Sequence, residues 1–112
     1  MDALVEKLSN GKHAVATSRY ASASELQECI DRGFVLVKFT GTRGGTELGF
    51  SLDGEQTKTA GADFAAGVGS VHLVGELSLN YEKVKCVADI NLQSLTGEGY
   101  LEVLPEASAA AG

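Results

Sequence analysis

The spacing of apolar residues changes character along the chain, and each change predicts an element. Residues 3–8, ALVEKL, set Leu4, Val5 and Leu8 on one face of a short helix, with Asn10 and Gly11 suited to its end. Ser22 to Gly33 carries a stronger helical signature. Ser22 and Glu25 have capping-box spacing, Leu26, Cys29 and Ile30 recur at helical intervals, Arg32 falls in the last turn, and Gly33 provides a left-handed stop. Between these helices, Lys12 to Tyr20 offers only Val15 and Thr17 as strand-like positions, which does not decide between strand and loop.

From Phe34 the period becomes two. FVLVKFT predicts a strand apolar on both faces, Gly41 to Gly45 a turn, and Thr46 to Asp53 a return strand with Leu48, Phe50 and Leu52 on one side. Gly49 inside that strand marks a bulge or the close approach of a bulky group. Residues 54–69, GEQTKTAGADFAAGVG, lose the alternation and read as a long loop anchored by Phe64 and Val68. Alternation returns at Val71, Leu73, Gly75, Leu77 and Leu79, and again at Val84, Cys86, Ala88, Ile90 and Leu92, which makes a second hairpin. A four-residue turn from Asn80 to Lys83 sets Leu79 opposite Val84 and Leu73 opposite Ile90. Gly99 to Leu104 adds a third strand, ended by Pro105, and residues 106–112 read as a disordered tail.

These elements predict one α+β domain over residues 1–105. Its core would be an open antiparallel sheet of five or six strands, two hairpins plus a meander, covered on one face by the main helix and a short N-terminal helix. The other face would carry His72, Val74, Glu76, Ser78, Lys85, Val87, Asp89, Asn91 and Gln93 and stay exposed, being mixed and mostly polar.

Composition narrows the functional classes. The 112 residues include fifteen acidic and nine basic side chains, a formal net charge of −6, and no window concentrates Lys and Arg. Direct binding to nucleic acid is therefore disfavoured, whereas a protein with a basic surface is a natural partner. No apolar run approaches the roughly 20 residues of a membrane span, and the first residues lack a secretory pattern, so a cytoplasmic location is expected by default. The two cysteines, Cys29 and Cys86, each fall in an apolar pattern and read as buried, reduced thiols.

Candidate chemistry is sparse. His13 and His72 stand apart, no metal-ligand spacing occurs, and no cofactor is implied. GTRGGTE, residues 41–47, could bind a small anion through Gly44 and Gly45 amides and the Arg43 guanidinium, although a plain hairpin turn with a solvated arginine is the commoner meaning. His72 and Asp89 lie diagonally on the polar face, where a carboxylate can orient the ring. Tyr81 at the hairpin tip, with Glu76, Glu82 and Lys85 nearby, suggests a recognition surface.

The sequence thus favours a non-enzymatic protein-interaction module, a regulator, inhibitor or accessory subunit acting through an acidic mixed sheet face or an edge strand. A homodimer could form through the same edge or face. The alternative is a small-molecule or anion-binding domain, or a small enzyme, with its site near the 41–47 turn and the 54–69 loop.

Overall fold

A computed structural model describes residues 3–17, 20, 22–42, 44–79 and 82–104. The chain runs α1 (Ala3–Leu8), β1 (His13–Ala16), α2 (Ala23–Arg32), β2 (Phe34–Phe39), β3 (Thr46–Leu52), β4 (Ala62–Asp63), β5 (Val68–Leu79), β6 (Glu82–Asn91) and β7 (Thr96–Val103). All pairings are antiparallel, and the order β3-β2-β1-β7-β6-β5 closes on itself through β3–β5.

This closure overturns the open sheet expected for an α+β domain. The molecule is a six-stranded barrel, 52% strand and 17% helix among the described residues, with two small helices in place of a main helix covering a sheet. The missing piece was β1. HAVA is only four residues long, yet it pairs with β2 at Val15↔Phe39 and with β7 at four positions from His13↔Gly99 to Ala16↔Thr96. It thereby joins the two halves of the sheet, so that among the described strands only two-residue β4 keeps an unpaired edge and the long free edge expected for an edge-strand interface is gone.

Both helices obey local rules. The Ser22 hydroxyl accepts the Glu25 N–H at 3.3 Å, and Gly33, at φ 86°, donates to the carbonyls of Cys29 and Ile30. Six-residue α1 has too few turns to persist by propensity. Burial holds it: Val5 and Leu8 are fully enclosed in the core that Leu26 of α2 also enters. Each such side chain contributes roughly 1.5–3 kcal/mol.

The barrel interior is filled by the alternating residues. Val35, Val37 and Phe39 meet Leu48 and Phe50 from β3, while Leu73, Val84, Cys86, Ala88, Ile90 and Leu101 come from the meander. Gly75 permits the closure, since a side chain there would strike the Ser51 carbonyl and the Phe50 ring. At Gly49 the expected close approach is found, with Phe34 and Leu36 lying over the bare backbone.

The β5–β6 register differs from expectation by two residues. Leu79 faces Glu82, Leu77 faces Val84 and Leu73 faces Ala88, so Glu82 and Lys83 belong to β6 and not to the turn. The inward set is unchanged, because a shift of two preserves the face. The expected 54–69 loop is also partly paired. Lys58 bridges His72, and Ala62 and Asp63 of β4 pair with Gly69 and Val68, so this stretch continues β3 along the free side of β5.

Candidate functional site

The outer face of β5, β6 and β7 gathers most of the polar residues singled out from the sequence. Because cross-strand partners share a face, the register arranges them in three rows. Lys58, His72, Asp89 and Glu98 form one row. Val74, Val87 and Tyr100 form the second, and Ser51, Glu76, Lys85 and Glu102 the third. Two charged rows thus flank an apolar one.

The expectation that this whole face is open fails at its centre. Val74 is 1% and Val87 6% exposed. The stretch Asp53 to Lys58 explains part of this, for it is clamped to β5. The Thr57 hydroxyl accepts the Val74 N–H at 3.2 Å and donates to the Val74 carbonyl at 3.1 Å, and Asp53 N–H donates to that same carbonyl at 2.7 Å. Lys58 and His72 exchange two backbone hydrogen bonds of 2.8 Å. Thr57 therefore substitutes for ladder bonds where the strand beside β5 bulges away.

Asp53 organises the clamp. Its carboxylate accepts the N–H groups of Glu55 and Gln56 and the Gln56 side-chain amide. Those donors, the Gln56 amide foremost, hold its pKa below the usual carboxylate range. Gln56 in turn accepts from Lys85 at 3.3 Å, and Lys85 also pairs with Glu102 at 3.7 Å. With a side chain only 22% exposed, Lys85 lies along the surface instead of projecting from it.

His72 and Asp89 are brought together directly, Nδ1 to Oδ1 at 2.7 Å, as directly facing partners and not the diagonal neighbours expected. Both side chains are open to water, at 40% and 55% exposure, so the pair contributes little to stability. Glu76 and Glu98 have no ion-pair partner among the described residues, and Glu82 lies at the start of β6 beside Leu79.

The 41–47 turn stands apart from this face. Arg43 and Tyr81 lie outside the described residues, as does the segment 105–112. Gly45 N–H donates to the Thr42 carbonyl at 2.9 Å, and Gly44 takes φ 74°, the left-handed conformation that the third position of such a turn can require. One of the two amides proposed for an anion is thus spent within the turn. Lys38 packs against Gly45.

The thiols separate in character. Cys86 is buried in the barrel, where desolvation pushes its pKa up to about 12, which suppresses the nucleophilic thiolate. Cys29 is partly exposed beside Tyr20, whose hydroxyl accepts the Leu36 N–H at 3.1 Å. Burial pushes the Tyr20 hydroxyl's pKa up, and neighbouring Cys29 adds to the rise.

Gln56, Thr57, Tyr100, Glu98 and Glu102 were not singled out from the sequence. Two valines interrupting a polar set, Val74 and Val87, were the available sign that something covers that face. No group of three or more His, Cys, Asp or Glu that could hold a metal occurs among the described residues, and no pocket opens among them. No helix among them is long and apolar enough to cross a membrane. No protein-family model matches the chain, and no curated protein matches it either.

Proposed function

We propose that this protein is a non-enzymatic interaction module, a regulator, inhibitor or accessory subunit, that binds another protein through the outer face of β5, β6 and β7. One observation carries the reading. Glu76, Asp89, Glu98 and Glu102 share that face and are exposed, against exposed Lys58 and Lys83 and a Lys85 laid down between Glu102 and Gln56, so carboxylates outnumber free cations on the surface offered to a partner. The formal net charge of −6 extends the same field over the molecule. A partner with a basic surface fits it, and long-range attraction would speed encounter more than it would tighten the final complex.

The test uses two baits in parallel, the wild-type chain and the Glu76→Lys/Glu98→Lys double variant, in native lysate at low and moderate salt. The wild type should retain a stoichiometric protein whose yield falls with salt, and the variant should lose it. Equal retention by both baits, or none by either, refutes the proposal. A small molecule co-purifying with both would instead favour a ligand-binding domain.

A further inference from the structure

We propose that Asn10–Gly11, in the link between α1 and β1, is a site of spontaneous deamidation through the backbone of Gly11. Both residues are exposed. Asn10 uses its own N–H on the Lys7 carbonyl at 3.2 Å, but its side-chain amide makes no hydrogen bond among the described residues, and the Gly11 N–H donates to none of them. Gly11 sits at φ 86° with open space where a side chain would stand. The electrophilic amide carbon and the nitrogen that attacks it are therefore both unengaged and unshielded.

In the reaction, the Gly11 backbone nitrogen loses its proton and bonds to Cγ of Asn10. The Cγ–Nδ2 bond breaks, and ammonia departs carrying the proton. Water then opens the five-membered succinimide at either carbonyl, leaving aspartate or isoaspartate. The sum is amide plus water to carboxylic acid plus ammonia, with no oxidant or reductant.

Asn91 provides the opposing case within the same molecule. Its Oδ1 accepts the Gln93 N–H at 2.8 Å, it is held in β6, and the N–H of the following residue, Leu92, is committed to the Gly69 carbonyl at 2.9 Å. Leu92 is also 3% exposed, so neither partner of the cyclisation is free. The product at Asn10 has a structural consequence. A new carboxylate stands just beyond the C-terminal end of α1, where the helix dipole disfavours negative charge, and the isoaspartyl form lengthens the backbone that tethers Val5 and Leu8 in the core.

The experiment incubates the native full-length chain in mildly alkaline buffer at physiological temperature and follows Asn10 and Asn91 by peptide mapping with isoaspartyl detection. The Asn10 peptide should convert at least about tenfold faster than the Asn91 peptide. Retention of the Asn10 amide for as long as that of Asn91 overturns the proposal. Asn10→Gln, whose cyclisation would need a larger ring, should abolish the acidic species seen on isoelectric focusing. Undiminished accumulation of that species in the variant would place the chemistry elsewhere and likewise overturn it.

Discussion

The barrel is zipped unevenly, and its two extremes lie on either side of one strand. Towards β6, β5 is paired at ten consecutive positions, from Ser70↔Asn91 to Leu79↔Glu82. Towards β3 it is paired only at Ser51↔Glu76 and Leu52↔Gly75. The first side is secured by backbone ladder and alternating core residues. The second depends on particular side chains, with Thr57 filling in for the ladder and Gly75 letting the strands approach. Regular periodicity therefore builds the long ladder, whereas closure rests on single residues that no periodicity announces.

Substitutions separate the two regimes. Leu73→Ala, which empties a fully enclosed site on the long ladder, should cost about 3 kcal/mol by urea denaturation without changing the m-value. At the closure, Gly75→Ala should cost about 2 kcal/mol, because the new methyl meets the Ser51 carbonyl and the Phe50 ring. Thr57→Val keeps the shape but deprives the buried Val74 N–H of its acceptor, at about 1.5 kcal/mol. Hydrogen exchange should then quicken at Val74 and leave the Leu73 and Cys86 amides protected; uniform acceleration would show that the closure and the long ladder open together.

Alkali probes the long ladder again. Because the Cys86 thiol is raised from 9.0 to about 12, the native state holds its proton where the unfolded chain releases it. Stability is intact below pH 9 and falls by about 1 kcal/mol per unit as pH rises towards the folded value. Cys86→Ala should flatten that limb of the pH–stability curve. The smallest effect belongs to Tyr20→Phe, which strips the acceptor from the Leu36 N–H at about 1 kcal/mol or less. Here the readout is exchange at Leu36 and not the midpoint of unfolding.

The same contrast explains what could be read in advance. The α2 boundaries were legible because Ser22 and Gly33 act on their immediate neighbours. The inward faces of β5 and β6 were legible because alternation is local. Their register was not, since a two-residue slip leaves every side chain on the same face, and only the turn chemistry around Asn80 separates the alternatives. Barrel closure was invisible because β1 brings one buried valine and two alanines, too little pattern to announce a strand with two neighbours. The polar face was legible, and the register places His72, Asp89, Glu76 and Lys85 on one surface. What was hidden was the docking of the clamp from Asp53 to Lys58, whose bonds to Val74 and Lys85 join residues distant in sequence.

β1 and β7 also set the order in which the molecule can be made. Thr17 binds the Leu95 carbonyl through both its N–H and its hydroxyl, across 78 positions of sequence, and the β1–β7 ladder beside it spans as much. One edge of the first strand must therefore wait for the last. A nascent chain on the ribosome can form α2, the β2–β3 hairpin and the β1–β2 pairing early, but the other edge of β1 stays unpaired until Thr96 to Gly99 have emerged. Such long-range pairing makes folding slow, and the interval before closure is when this chain is most open to aggregation or to a chaperone.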